Sequence, residues 1–197
     1  MPIHPAASRL GTALVGLATL AACAGGTPGG DAGPPPRPPM AEAECRGLLA
    51  TASPRTLAAQ GAALLIAEPE LIEGGTARPV SLRLREQVSG ETASLDCVDG
   101  SVVWGAIPPG RWNVEALVPA GGAPGAAIPL AGTEAGADEL RLGAGETMHL
   151  SRPTWTRQGG ALSFRSRIDA RAQTALVERM APNVGTALLL RELGEGG

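Results

Sequence analysis

Apolar and polar residues alternate along the middle of the chain, most clearly in Val80-Ser81-Leu82-Arg83-Leu84-Arg85. Successive side chains of a β-strand point to opposite faces, so a period of two is typical of a strand with one buried and one solvated face. The pattern predicts that Val80, Leu82 and Leu84 point into the core. It also predicts that the two arginines of the run share the polar face.

A β-hairpin is predicted at Asp99-Gly100, because Asp-Gly is typical of a two-residue turn between antiparallel strands. The register that follows places Cys97 opposite Val102 and Leu95 opposite Trp104. These four residues then share one face, which we expect to be buried. A buried Cys97 suits a structural disulfide better than a reactive thiol.

A second reversal is predicted at Pro109-Gly110, because proline and glycine supply the two backbone conformations of a type II turn. A strand leaves this turn, and Pro119 to Pro129 is predicted to be a mobile loop. The inward residues of the strand are expected to be Trp112, Val114, Ala116 and Val118. Three shorter strands are predicted at Leu140–Leu142, Thr147–Leu150 and Ala161–Arg165.

The C-terminal segment changes to a helical period. Asp169 can cap a helix over Ala170 to Met180, and Pro182 ends it. A second short helix is predicted from Asn183 or Thr186 through Leu193. The apolar stripe of the first helix is expected to contain Ala172, Leu176 and Met180.

The segment before the sheet is less uniform. Glu42 to Ala50 is predicted to be a short helix that a disulfide at Cys45 would join to the sheet. Arg55 to Ile72 is ambiguous, because the apolar run Ala62 to Ala67 fits either a strand or a buried helix.

An apolar run from Leu10 to Ala22 precedes Cys23 and is shorter than the roughly 20 residues that a membrane-spanning helix needs. It is therefore predicted to be an export signal. The sequence Leu20-Ala21-Ala22-Cys23 resembles the lipobox of bacterial lipoproteins. The resemblance implies a signal peptide over residues 1–22, cleavage before Cys23, and a diacylglycerol chain on its thiol. The alternative is an ordinary secreted protein with a cysteine in its signal.

Residues 23–41 are rich in glycine and proline and are predicted to be a disordered tether behind the lipidated cysteine. Among lipoproteins of the enteric type, an Asp after the lipidated cysteine retains the protein in the inner membrane, and Ala24 stands at that position here. The resemblance thus implies a lipid-anchored envelope protein, with the outer membrane facing the periplasm favoured over the inner membrane.

Residues 42–197 have the length of one domain. The formal net charge of the whole chain is -3, which gives no support to nucleic-acid binding. With Cys23 committed to lipid, Cys45 and Cys97 remain, and in an oxidising compartment they are predicted to form a disulfide. The alternatives are a metal pair or two free thiols. A metal site needs more ligands, and His149 is the one remaining imidazole.

The turn chemistry of residues 75–150 resembles the prealbumin-like or carboxypeptidase-regulatory-like β-sandwich. The resemblance rests on the strand at residues 80–85, the turn at Asp99-Gly100, the Pro108-Pro109-Gly110 turn followed by Trp112, and Ala144-Gly145-Glu146 before a strand. The chain departs from the family by its tryptophan where tyrosine is usual. The fold class is therefore predicted to be mainly β, an antiparallel β-sandwich with one or two C-terminal helices in residues 169–193. The resemblance implies a non-catalytic folding, adhesion or interaction module.

Candidate catalytic residues are few. His149 is predicted to point outward between Met148 and Leu150, and Asp96 with Asp99 is the one carboxylate pair that could serve a hydrolase. No catalytic residue, metal site or cofactor is assigned.

Two ligand-binding features are considered. Arg83, Arg85 and Arg111 could meet an anionic lipid or glycan. A glycan site would instead predict an exposed aromatic platform built from Trp104, Trp112 or Trp155.

We therefore expect a non-enzymatic envelope lipoprotein, held to the membrane through Cys23 and serving as a structural or interaction module for an envelope protein or glycan. The alternatives are a lipoprotein that binds peptidoglycan, another glycan or a small ligand, and an envelope hydrolase.

Overall fold

The computed structural model describes residues 40–119, 126–131 and 138–193, which form three α-helices and thirteen strands. The predicted signal peptide, Cys23 and the predicted tether up to residue 39 lie outside these ranges. The helices are α1 (Glu42–Thr51), α2 (Pro54–Ala59) and α3 (Ala170–Met180). The strands are β1 (Ala63–Ala67), β2 (Glu70–Glu73), β3 (Thr76–Glu86), β4 (Thr92–Ser94), β5 (Cys97–Asp99), β6 (Val102–Ile107), β7 (Gly110–Pro119), β8 (Ile128–Pro129), β9 (Glu139–Leu142), β10 (Thr147–Leu150), β11 (Thr154–Gln158), β12 (Ala161–Arg165) and β13 (Leu188–Arg191).

Two sheets pack as a sandwich, so the predicted mainly-β sandwich is confirmed. The first has five strands in the order β13-β10-β1-β6-β5, and the second has eight, in the order β12-β11-β2-β3-β7-β8 with β4 beside β3 and β9 beside β7. Most pairs are antiparallel, as expected. Three are parallel, namely β1 with β10, β10 with β13, and β2 with β11, because each of these partners returns to the sheet after an intervening stretch of chain instead of a hairpin.

The five-stranded sheet is covered on both faces. Its β1 segment, which was ambiguous from the sequence, is a strand whose five residues are all fully buried. Leu65 belongs to the apolar cluster between the two sheets, whereas Leu64 and Ile66 belong to a second cluster shared with the helices. A strand buried on both faces is a continuous apolar run without alternation, so the hydrophobic pattern of residues 62–67 did not distinguish a strand from a buried helix.

Local capping explains where the helices begin. The Ser53 side chain accepts a hydrogen bond from the Thr56 amide, and Pro54 occupies the first turn of α2. Asp169 caps α3 as predicted, by accepting from the Ala172 amide at 3.1 Å. The buried side chains of α3 are Gln173 and Val177; of the predicted stripe, Leu176 and Met180 are partly buried against the apolar cluster and Ala172 is exposed.

The second C-terminal helix is a wrong prediction. Gly185–Ala187 forms a single 3₁₀ turn, and β13 follows it. The run Leu188-Leu189-Leu190 pairs in parallel with β10 at the edge of the five-stranded sheet. Pairing with an open strand supplies backbone hydrogen bonds and packing that a short isolated helix lacks.

The predicted hairpin is present, but its register differs. Cys97 pairs with Trp104 and Asp99 with Val102, so the two loop residues are Gly100 and Ser101. A two-residue turn accepts glycine at its first position as readily as at its second, and Asp99 stays in the ladder. Cys97, Val102 and Trp104 keep their common buried face. Leu95 precedes β5 and packs instead between the sheets.

A β-bulge changes the phase of β7. Arg83 pairs with Ala116 and Leu84 with Val114, which leaves Glu115 as the extra residue. Beyond the bulge Leu117 is the residue that packs between the sheets, in place of the predicted Val118. Within the predicted loop, Ile128–Pro129 pairs with β7, while residues 120–125 lie outside the described ranges.

Candidate functional site

The outer face of the eight-stranded sheet carries most of the arginines that the sheet exposes. On β3, Val80, Leu82 and Leu84 are buried between the sheets as predicted, so Arg83 and Arg85 lie on the opposite, outer face. The register places Arg111 of β7 and Arg141 of β9 directly opposite each other on that face as well. The three arginines considered from the sequence are therefore brought onto one surface.

Carboxylates from neighbouring strands pair with these arginines. Glu115, the bulged residue, accepts from Arg83 Nε at 2.8 Å and from Arg85 Nη2 at 2.8 Å. Glu139 accepts from Arg111 Nε at 2.9 Å and from Arg141. Hydrogen bonds from Arg111 and then Arg141 lower the pKa of Glu139 to about 2. Each carboxylate thus joins two guanidinium groups, so each of these four arginines already has a carboxylate partner.

A groove at the other end of this outer face has a different balance of charge. It encloses about 640 Å³ and is lined by three arginines, Arg152, Arg165 and Arg167. The remaining lining residues are polar except for one isoleucine: Ile72, Thr154, Thr156, Gln158, Ser163 and Ser166. We call this site the arginine groove.

The β11–β12 hairpin builds the arginine groove. Gly159 and Gly160 form its two-residue loop with φ of 55° and 87°, a conformation that suits glycine at both positions. The ladder pairs Thr154 with Arg165 and Thr156 with Ser163, so these side chains share a face. One rung beyond the strands, the Arg152 amide donates to the Arg167 carbonyl at 3.1 Å.

This pairing brings the two outermost guanidinium groups together. Arg152 and Arg167 stand opposite each other. Arg165 precedes Arg167 by two residues, so both side chains lie on the same outer face. Arg152 Nη2 contacts Glu70 Oε1 at 2.6 Å. Arg165 and Arg167 form no ion pair within the part of the chain that the structure describes. Among the described residues, the groove therefore holds one arginine with an ion-pair partner and two without one.

The sequence contains a local signal for this groove, which was not among the predictions. Polar residues recur at alternate positions before Gly159-Gly160, in Thr154, Thr156 and Gln158, and again after it at Ser163 and Arg165. Folding this stretch into a hairpin places both polar series on one face. Only the second strand of the hairpin was predicted.

Cys45 and Cys97 are joined in the structure, with their Cα atoms 5.5 Å apart. Both are buried, and the bond connects α1 to β5. The Trp104 indole packs in the same cluster and donates to the Cys45 carbonyl at 3.4 Å. Within the structure these cysteines hold a helix on the sheet.

The predicted aromatic platform is wrong. Trp104, Trp112 and Trp155 are exposed by 4%, 1% and 0%, respectively. The Trp112 indole donates to the Pro108 carbonyl at 3.1 Å, and the ring of Trp155 lies 5.1 Å from that of Phe164. Each indole is needed for packing because the domain has so few aromatic residues.

The prediction that His149 points outward is also wrong. Its side chain is fully buried, because β10 lies between β1 and β13 and both faces of this sheet are covered. His149 stands beside Ile66 in the register and so faces the helices. Burial lowers the pKa of His149 to about 4, and the Leu150 backbone raises it slightly. Neither ring nitrogen makes a hydrogen bond of ordinary geometry in the described ranges.

The carboxylate pair considered for a hydrolase lies around the disulfide strand. Asp99 is exposed at the end of β5, and Asp96 is half-buried one residue before Cys97. In the described ranges, no three His, Cys, Asp or Glu side chains are grouped in a way that could hold a metal ion. The helices within these ranges include none that is both long and apolar enough to cross a bilayer.

Comparisons with protein-family models, with curated proteins and with solved structures find no match to this chain. The resemblances to bacterial lipoproteins and to the prealbumin-like sandwich therefore stay predictions. In the arginine groove, polar side chains from two strands converge on open space.

Proposed function

We propose that this protein is a membrane-anchored bacterial envelope lipoprotein whose folded domain is a non-enzymatic interaction module. The observation that carries the proposal is the sequence Leu20-Ala21-Ala22-Cys23 at the end of a short apolar run. Cys23 would carry the lipid, and residues 24–41 would separate the domain from the bilayer. Two or more acyl chains on one cysteine are enough for stable anchoring, at about 0.8 kcal/mol per buried methylene.

The positions of the chemically reactive residues support a non-enzymatic module. Cys45 and Cys97 are bonded to each other, and His149 has no exposed surface from which to reach a substrate. A general base must lie within hydrogen-bond reach of the proton that it removes, and a fully buried imidazole that a substrate does not reach fails that condition. The hydrolase alternative would then rest on Asp96 and Asp99 alone.

The arginine groove favours a second candidate function, the binding of a glycan or small ligand. Its polar lining, with Arg165 and Arg167 that form no ion pair within the described ranges, has the features of a recognition site for an anion. A binding site of this kind is compatible with a tethered lipoprotein. It replaces the aromatic platform that the buried tryptophans exclude.

Metabolic labelling with an alkyne fatty acid tests the anchor. The wild-type chain and a Cys45→Ala/Cys97→Ala double variant should both be labelled, because the proposal places the lipid on Cys23. A Cys23→Ser variant should lose the label. Labelling that persists in Cys23→Ser would remove the lipoprotein proposal.

Fractionation of the two membranes tests the predicted location. Wild-type protein should sediment with outer-membrane markers, and Ala24→Asp should move it to the inner-membrane fraction in a host with enteric-type sorting. The same distribution for both chains would contradict the predicted role of Ala24 in sorting, whereas the proposed lipid on Cys23 would still depend on the labelling experiment.

A further inference from the structure

We propose that the arginine groove binds an anionic saccharide, a sugar bearing a carboxylate or a phosphate. The inference deepens the proposed function, since it rests on an interaction module exposed to the envelope and names the class of ligand. It is carried by three arginines and a row of hydroxyl and amide groups that line one open cavity of about 640 Å³.

The charge in the groove requires a counterion. Arg152 and Arg167 lie opposite each other beyond the last rung of β11–β12, and Arg165 stands one step along the same face. Like charges that stand directly opposite each other across two strands destabilise the pairing. Glu70 contacts Arg152 and stands across β11 from Arg165, with Thr154 between them in the register. Glu70 therefore pairs with one of the three guanidinium groups, and no carboxylate is among the described residues that line the groove.

The geometry of a guanidinium group defines the anionic part of the ligand. Its planar fork of N–H donors matches carboxylate and phosphate oxygens in a bidentate manner. Arg165 and Arg167 are exposed residues in the structure and make no ion pair with another described residue. An oxyanion between them would occupy a position that no protein carboxylate takes in the described ranges.

The rest of the lining defines the neutral part of the ligand. Thr154, Thr156 and Ser163 present hydroxyl groups on the same face, and Gln158 adds an amide at the hairpin end. Hydroxyl and amide groups donate and accept hydrogen bonds, as the hydroxyl groups of a sugar do. The hydroxyl groups continue away from the arginines in the direction of β11. A sugar chain anchored by its anionic group would therefore lie on the outer face of the β11–β12 hairpin, parallel to the strands.

Two other pairs of arginines on the same sheet face provide the contrast, namely Arg83 with Arg85 and Arg111 with Arg141. Glu115 and Glu139 each join two arginines there, so the guanidinium groups of those sites already have carboxylate partners. A ligand would have to displace those bonds. In the arginine groove two of the three guanidinium groups are free of such competition in the described ranges, which is why we assign the ligand to this end of the face.

Calorimetric titration of the full-length chain in neutral detergent micelles tests the assignment, with a galacturonate tetramer and glucose 6-phosphate as anionic probes and maltotetraose as the neutral probe. We expect binding of an anionic probe and none of maltotetraose. Arg165→Ala and Arg167→Ala should each weaken binding about tenfold or more, because a hydrogen bond to a charged group contributes about 1.5–3 kcal/mol. An Arg165→Lys/Arg167→Lys variant keeps the charge without the fork, so it should bind with intermediate affinity.

Arg157→Ala is the matched control. Arg157 belongs to the same β11–β12 hairpin, but it contacts Glu73 and does not line the groove, so its removal should leave the affinity unchanged. Equal weakening by Arg157→Ala and Arg165→Ala would reduce the effect to net charge and overturn the proposal. So would the absence of binding to both anionic probes. Groove-dependent binding to phosphatidylglycerol vesicles without binding of either sugar would assign the site to a membrane surface instead. None of these results would alter the labelling of Cys23, so the two proposals fail separately.

Discussion

His149 should make the free energy of unfolding of this domain fall as the pH is lowered from neutral to 5. The imidazole is fully buried on β10, and burial lowers its pKa from 6.5 to about 4. In the unfolded chain the same side chain takes up a proton near its ordinary pKa. Between these two pKa values the unfolded state binds more protons than the folded state, so acidification favours unfolding.

The size of the effect follows from the two pKa values. The difference between 6.5 and about 4 corresponds to a full loss of about 3 kcal/mol once the pH is below both values. At pH 5 the loss relative to pH 7.5 is about 2 kcal/mol. The pKa of Glu139 is lowered from 4.5 to about 2, so its contribution to stability is lost as the pH falls from 4.5 to 2. That range lies below pH 5, where the measured series ends. The histidine effect is therefore separable from that of the paired carboxylates.

Urea unfolding at a series of pH values from 7.5 to 5 measures this dependence, with the disulfide kept oxidised. Wild-type protein should lose about 2 kcal/mol over the series. His149→Leu and His149→Gln have side chains that do not titrate, so each should lose less than about 0.5 kcal/mol. His149→Leu should also be the more stable of the two at neutral pH, because leucine brings no unsatisfied polar atoms into a buried site.

Met148→Ala is the control, since Met148 is the buried neighbour of His149 on β10 and does not titrate, so its loss should lower stability at every pH. It should reproduce the wild-type slope. The reasoning is refuted if His149→Leu retains the wild-type pH dependence, because another group would then be responsible. A wild-type stability that is flat from pH 7.5 to 5 would show that the folded state accommodates the imidazolium ion.

The remaining predictions concern covalent and steric constraints, and urea unfolding measures both. Reduction of Cys45–Cys97, or its double alanine variant, should lower stability by about 4 kcal/mol for a sequence separation of 52. A loss below about 1 kcal/mol would mean that α1 packs on the sheet without it. Gly145→Ala should cost at least about 1 kcal/mol more than Gly61→Ala. Both glycines have positive φ, but a Cβ at Gly145 would lie 2.7 Å from the Pro54 carbonyl oxygen, whereas Gly61 faces open space. Equal costs would contradict the steric argument.

The parts of the fold that depend on neighbouring residues could be predicted from the sequence. The alternation at residues 80–85 identified a strand and its buried face, and Asp169 identified the start of α3. Both signals act within one element, so no knowledge of its partners is needed. The turn at Asp99-Gly100 belongs to the same class. Its presence was predictable, but the choice between two registers depended on the packing of Leu95 between the sheets.

The parts that depend on distant chain segments could not be predicted in this way. His149 was predicted to point outward because the residues of its strand were expected to face the core and the solvent in turn. Its strand is buried on both faces only because β13 pairs beside it and the helices cover the sheet. The bulge at Glu115 is a similar case, since an extra residue in β7 has meaning only against the register of β3. Pairings across the sandwich decide these features, and a single sequence contains no local signal for them.

The arginines show how the same limit applies to the candidate site. All basic groups of the chain are arginines, so composition alone does not distinguish one arginine from another. Arg83 and Arg85 were candidate ligand-binding residues because they alternate along one strand. In the fold, the bulged Glu115 on the neighbouring strand pairs with both. Arg165 and Arg167 sit on a hairpin whose adjacent strand supplies Glu70, and this carboxylate contacts Arg152 instead. Whether an arginine is available to a ligand is therefore decided by which carboxylates the sheet order places beside it. That order follows from the fold: the arginine groove exists because β12, β11 and β2 lie side by side and Glu70 of β2 pairs with Arg152 alone of the three groove arginines.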